Sequence, residues 1–221
     1  MDNNKKYMFG VKKKLTKHSK LFSNSEKILF MMKQNKGYIT TKEIDNKKLG
    51  RDYLKKLVDS GKIKNVARGI YFDYDLKENK MYTFQMRYPK TIFSHLTALS
   101  LWKIIDYNKI NYDITCCNNV FCEEFKLHNV FYVKKEVLKI GLVEIEIDGY
   151  QIKLYDMERC ICDIIRSKGR IENKLIEKCL KNYLKNENKN IQNLIRYAKE
   201  LEIYNQLTMY LEKFKRENRI I

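Results

Sequence analysis

Residues 37–72 read GYITTKEIDNKKLGRDYLKKLVDSGKIKNVARGIYF, and the punctuation of this stretch decides how the first third of the chain folds. Thr40-Thr41 offers a helix N-cap, with Glu43 in the first turn, where a carboxylate suits the helix dipole. Asn46 to Lys48 makes the break after that helix. A second helix is expected from about Gly50 to Ser60, with Leu54, Leu57 and Val58 at the i, i+3, i+4 spacing of a buried stripe. Gly61 stops it, because glycine takes the left-handed backbone of a C′ position without strain. Ile63 to Val66 and Ile70 to Phe72 are short β-prone runs joined across Ala67-Arg68-Gly69, a tight turn with an arginine at its tip. Upstream, Ser25 is the candidate cap of a helix whose Ile28, Leu29 and Met32 close a small core. Three helices and a β-wing in that order predict a winged helix-turn-helix.

The second helix is the candidate reader. At about 100° per residue, Leu54, Leu57 and Val58 centre one face, and Lys48, Asp52, Lys55 and Lys56 fall roughly opposite, with Arg51 at the edge. Lysine and arginine neutralise phosphate or reach guanine O6 and N7, while Asp52 is placed to accept from cytosine N4. Lys64 on the first wing strand, Arg68 at the wing tip and Gly69 in its turn complete the candidate DNA-binding set. A solvated amphipathic helix with ordinary surface lysines is the bland alternative, and the charge distribution tilts against it.

That distribution is uneven. The 221 residues carry a net charge of +18, and residues 1–72 hold 19 Lys/Arg against 6 Asp/Glu, a net +13. Most of the excess therefore sits in the third with the helix-turn-helix pattern, the footprint of a nucleic-acid binder. An anionic membrane surface is the rival partner, but it needs a strong apolar face beside the lysines, and the basic N-terminal run has only scattered apolar residues. With 44% hydrophobic residues, 16 Tyr and 10 Phe, the chain has the material for a packed core and is not a disordered tail. No apolar run is long enough for a signal peptide or a membrane span, so a cytoplasmic protein is expected.

Six cysteines (Cys116, Cys117, Cys122, Cys160, Cys162 and Cys179) form no CxxC pair, and His18, His95 and His128 lie outside any zinc-ligand spacing. Reduced, partly buried thiols are expected, with no metal and no cofactor.

Residues 1–22 contain seven lysines. They read equally as an arm that tracks phosphates or as a solvated tail. The charged run DYDLKENK, 73–80, marks the expected boundary between a winged-helix domain at 23–75 and a C-terminal domain at 76–221. Tyr88-Pro89 is a break, because the residue before proline is pushed out of the helical region. Ser94 can then cap a helix to about Lys103; its neighbour His95 reads as a partly buried histidine, not as half of a catalytic pair. Tyr112–Cys116, Val130–Lys134, Leu142–Ile147 and Tyr150–Tyr155 are strand candidates, the last two joined by Asp148-Gly149, a strong hairpin signal. Asp156 can cap a helix running to Gly169, with Arg159–Asp163 at i,i+4 and Asp163–Arg166 at i,i+3. Amphipathic helices follow at about 171–185, 190–200 and 202–218. The expected class is α+β, a winged helix-turn-helix followed by a small antiparallel sheet and a helical bundle.

The order of these parts resembles the AbiEi antitoxin family, the regulator half of type IV abortive-infection toxin–antitoxin pairs. GYITTKEI…YLKKLVDSGKIKNVARGIY is similar to the family's helix-turn-helix and wing, YPKTIFSHLTALSLWKI (88–104) to its "P…ISHLSAL" helix, and YDMERCICDIIR (155–166) to its "ERTLCDLLR" helix. The likeness runs over most of residues 25–200. It implies a non-enzymatic, DNA-binding autorepressor at operator inverted repeats, with a dimer on DNA. It also implies an antitoxin that opposes a nucleotidyltransferase toxin without needing a stable complex. Arg68 and Gly69 are the positions the wing match supports best.

Two other readings stand beside it. One is a plain winged-helix regulator whose C-terminal domain senses a ligand or dimerises. The other is a metal-dependent nuclease built on EIEIDGYQIK (144–153), where an acid and Gln151-x-Lys153 sit on adjacent strands. Glu144, Glu146 and Asp148 alternate along one strand as a solvent face does, which weighs against convergence on a metal.

Overall fold

A helix begins where Ser23 supplies an oxygen to the backbone N–H of Glu26 and Glu26 returns a carboxylate to the N–H of Ser23, a complete capping box. The cap is thus Ser23, two residues before the Ser25 expected from sequence, and the helix is α1, Asn24–Gln34. The structure is a computed structural model that describes residues 22–107, 110–117 and 122–217. The expected extension at 1–22 lies outside these but for its last residue.

After α1 the chain forms β1 (Tyr38–Thr40), then α2 (Thr41–Asn46) and α3 (Asp52–Asp59). Thr40 and Glu43 make a second capping box at the start of α2. At the end of α3 the N–H of Lys62 reaches the Leu57 carbonyl at 3.0 Å and that of Gly61 the Val58 carbonyl at 2.9 Å. With Gly61 at φ +68°, this is a Schellman stop. β2 (Ile63–Ala67) and β3 (Ile70–Asp73) form the hairpin, with an irregularity between Asn65 and Ala67, and β1 pairs antiparallel with β3 to give the sheet order β1-β3-β2. Ile28, Met32, Ile39, Ile44, Leu54, Leu57 and Ile63 make one buried cluster drawn from all these elements except β3, whose Tyr71 packs against it.

The described residues divide into two compact units between Arg87 and Tyr88, not near residue 75. The helix α4 (Lys80–Arg87) belongs with the first unit. Asn79 receives the N–H of Tyr82 at 2.9 Å, and the Tyr38 hydroxyl lies 2.9 Å from Thr83 Oγ1 and 3.2 Å from the Asn79 carbonyl. The charged run is therefore a link inside a unit, because a buried tyrosine from β1 anchors the helix that follows it.

The second unit contains β4 (Ile92–Phe93), α5 (His95–Leu101), β5 (Asp113–Cys117), β6 (Asn129–Val133), β7 (Leu142–Ile147) and β8 (Tyr150–Tyr155). It ends with α6 (Met157–Arg166), α7 (Asn173–Lys185), α8 (Ile191–Glu200) and α9 (Tyr204–Glu217). The hairpin β7–β8 is antiparallel through Asp148 at φ +51° and Gly149 at φ +83°, as its sequence predicts. The sheet as a whole, ordered β6-β5-β4-β8-β7, is mixed: β4 runs parallel to β8, and β5 to β6. The expected small antiparallel sheet is present in the β4–β5 and β7–β8 pairs, and the parallel pairs beside them are what the sequence did not show. A parallel pair needs a crossover connection, and sequence periodicity does not show where one returns.

Helix α6 is the hub of this unit, packing against α5, α7, α8 and α9. Its residues 157 to 165 are all buried, charged ones included. Asp156 caps it through the Arg159 N–H at 2.8 Å. Arg159 donates Nε to Asp163 at 3.0 Å and Nη1 to the carbonyls of Val137 and Ile140 at 2.7 and 2.8 Å. Glu158 accepts from the Tyr183 hydroxyl at 2.9 Å and the Asn190 N–H at 2.7 Å. Polar groups taken out of water need such partners, and here the helix supplies them from its own turns and its neighbours.

Candidate nucleic-acid interface

The candidate surface lies where α2, α3 and the β2–β3 hairpin meet. The capping box of Thr40 and Glu43 fixes the direction in which α2 leaves β1, and the buried Ile44, Leu54 and Leu57 fix α3 against it. Gly69 ties the hairpin turn to the same corner. Its carbonyl accepts the Thr41 N–H at 2.9 Å, its φ is +72°, and a Cβ there would come within 2.8 Å of Thr41 Oγ1. The glycine is required by both conformation and approach.

Of the other sequence-selected residues, Lys55, Lys56 and Asp52 are exposed on α3, and Arg68 is exposed at the hairpin tip. Lys55 and Arg68 have no ion pair among the described residues. Lys56 lies 3.9 Å from Asp52 and 5.0 Å from the Tyr53 ring centroid, so it is partly engaged along its own helix. Lys64 is half-buried, its ammonium 5.6 Å from the Phe72 ring centroid. Lys48 does not lie on the α3 face as its spacing suggested. It sits in the link between α2 and α3 at φ +55°, exposed beside Lys47. The helical register used for it starts only at Asp52.

Arg51 is not an unencumbered edge residue. It is the N-cap position of α3, and its Nε donates to Asp45 Oδ1 at 2.8 Å while Nη2 contacts Asp45 Oδ2. This fork holds the Asp45 carboxyl below the usual carboxylate range and raises the Arg51 guanidinium further. Asp45 and Lys47 are the residues that sequence reasoning left out. Asp45 stands six positions before Arg51 on a different helix, a spacing with no meaning in any single-helix pattern.

The catalytic and metal alternatives fare differently. Glu144 pairs across the hairpin with Lys153, and Glu146 with Gln151, all on a face away from the buried Tyr150, Ile152 and Leu154. Among the described residues no group of three or more His, Cys, Asp or Glu side chains is placed to hold a metal ion. His95 is wholly buried, not partly, with Nδ1 2.9 Å from Ser94 Oγ, Nε2 3.1 Å from Ser167 Oγ, and its ring stacked 3.4 Å from Phe131. Burial keeps it well below its ordinary titration range, helped by Arg166, Arg159 and Arg170. Ser94 holds the N-cap position of α5 without capping it through its side chain; the Leu96 N–H is received instead by Asp113 Oδ2 from β5 at 2.9 Å. The six cysteines are free, and burial pushes the thiols of Cys116 up to about 11 and Cys179 up to about 12. Such thiols are poor nucleophiles.

Among the described residues no helix is long and apolar enough to cross a membrane. No curated protein matches the chain. The stretches at 88–104 and 155–166 that carried part of the resemblance lie outside the matched residues, which run from the fourth residue of α1 to midway along β3. Residues 27–71 match the model of the family described as transcriptional regulator, AbiEi antitoxin.

Proposed function

We propose that residues 22–87 are a winged helix-turn-helix that binds double-stranded DNA, with α3 in the major groove and the β2–β3 hairpin as the wing. In this reading the chain is the antitoxin and autorepressor of a type IV toxin–antitoxin operon. It binds operator inverted repeats as a dimer and opposes a nucleotidyltransferase toxin without a stable complex. One coincidence carries the proposal: the family match falls on the unit that holds the helix–turn–helix order, the glycine-tied hairpin and the exposed cations Lys55 and Arg68. Phosphate contacts position such a unit, and base-edge contacts from the start of α3 specify sequence. The second unit, with its own buried hub helix and mixed surface charge, takes the antitoxin role.

Binding of the full chain to its own promoter region should fall steeply with salt. Each phosphate neutralised contributes about −0.9 to the slope of log K against log[salt], so Lys47, Lys48, Lys55, Lys56 and Arg68 together would give roughly −4.5 per protomer. The double variant Lys55→Glu, Lys56→Glu should abolish repression by repelling phosphate. Co-expressed from an unrelated promoter with the nucleotidyltransferase toxin that this reading pairs it with, it should still rescue growth. A flat salt response would overturn the DNA assignment. Failure of the folded double variant to rescue would mean that both roles use the α3 surface.

A further inference from the structure

We propose that Asp45 is a specificity-determining positioning residue: it buttresses Arg51 so that the guanidinium reads one guanine in the major groove. The inference rests on the DNA-binding reading above and deepens it at one base pair.

Arginine has five N–H donors in a rigid plane. Asp45 takes the side edge, through Nε at 2.8 Å and one hydrogen of Nη2. The end edge, with Nη1 and the outer hydrogen of Nη2, keeps two parallel donors, the fork that matches guanine O6 and N7. Arg51 is the N-cap residue of α3, immediately before its first turn, and residues at the start of a recognition helix are those that meet base edges. Fixing the stem and plane of a long side chain before contact removes an ordering cost that an unheld arginine carries.

The pair has no other evident use. Its side chains are 66% and 44% exposed, where ion pairs add little stability. The α2–α3 link is already held by backbone bonds, with the Lys48 N–H on the Asp45 carbonyl at 2.9 Å and the Leu49 N–H on the Ile44 carbonyl at 3.0 Å. Nor is it built for phosphate. A carboxylate beside the arginine repels the backbone and cancels the charge that phosphate binding needs, so a residue meant only for phosphate is better off without it. A buttressed base reader tolerates the carboxylate because orientation, not charge, is its contribution.

The test uses the full-length protein and a pool of random DNA duplexes, from which a preferred site is selected. Affinities are then measured on that site, on copies with each G·C pair changed to A·T, and on a scrambled duplex. The wild type should discriminate about tenfold or more at one G·C pair per half-site. Arg51→Ala and Asp45→Ala should both lose that discrimination, at the same pair, and the double variant should be no worse than Arg51→Ala. Asp45→Ala should hold or gain affinity for the scrambled duplex, because a carboxylate has left the phosphate-facing surface. A structural clamp predicts the opposite, equal losses on selected and scrambled duplexes with a lower melting temperature, and that result overturns the proposal. So does full discrimination by Asp45→Ala at the pair that Arg51→Ala abolishes. Absence of any duplex binding by the wild type would sink the DNA-binding reading itself, whereas binding with a motif indifferent to Asp45 sinks only the buttress.

Discussion

Replacing Arg159 by methionine should cost the second unit about 3–5 kcal/mol, the range for stranding one member of a buried pair. The two side chains are 0% and 1% exposed, so Asp163 cannot turn to water when its partner goes. Its remaining cation is Arg166 at 3.3 Å, itself 33% exposed and so weakened by solvent. The Val137 and Ile140 carbonyls lose a charged donor, and the Tyr155 ring loses a guanidinium 4.3 Å from its centroid. Adding Asp163→Leu should restore part of the loss, because the desolvated carboxylate disappears. The native pair is not itself ideal, since Arg159 Nη2 is buried with no hydrogen-bond partner among the described residues. Urea unfolding followed by Trp102 fluorescence reads this directly: Trp102 is the single tryptophan and donates Nε1 to the Tyr155 carbonyl at 2.8 Å. A pH dependence should accompany the single variant. Burial already pushes the Asp163 carboxyl up against the pull of Arg159, and removing that arginine pushes it further. The folded state then binds the proton more tightly than the unfolded one. Stability of Arg159→Met should therefore rise as pH falls through the raised value towards the unfolded value of about 3.9. A loss below about 1 kcal/mol, or a double variant less stable than the single, would refute the reasoning.

Two glycines separate strain from crowding. Gly61→Ala, at φ +68° with nothing within 4 Å of a new Cβ, should cost only backbone strain, about 1–2 kcal/mol. Gly69→Ala should cost more, because it also meets Thr41 Oγ1 at 2.8 Å; equal melting temperatures for the two variants would contradict this. For His95, burial lowers the folded titration value, so the unfolded state binds more protons below about pH 6.5 and stability falls as pH drops through that value. His95→Asn, which tolerates the φ of +47°, should show a shallower loss between pH 7 and pH 5 in urea titrations, and an unchanged slope would rule His95 out as its source.

Much of this was present in the sequence because it is local. Threonine three residues before Glu43, glycine after Ser60 and Asp148-Gly149 between alternating runs act through backbone stereochemistry within one turn. The helix at Thr41, the Schellman stop and the hairpin therefore lie where they were read. Periodicity likewise placed α6 to α9 within a few residues. Other features depend on elements brought together from far along the chain. Arg159 and Asp163 have the spacing of an ordinary surface pair, and only the packing of four helices around α6 makes them a buried one. Tyr38 draws α4 into the first unit across forty-odd positions of sequence, against the charge run that suggested a boundary. β4 and β8 run parallel because the chain crosses over, which no run of alternating residues encodes. At the candidate interface, the lysines and the wing arginine were legible as charge on a helix and a turn. What decides the orientation of Arg51 is a carboxylate on a different helix, and only the tertiary structure brings Asp45 within hydrogen-bond distance of it.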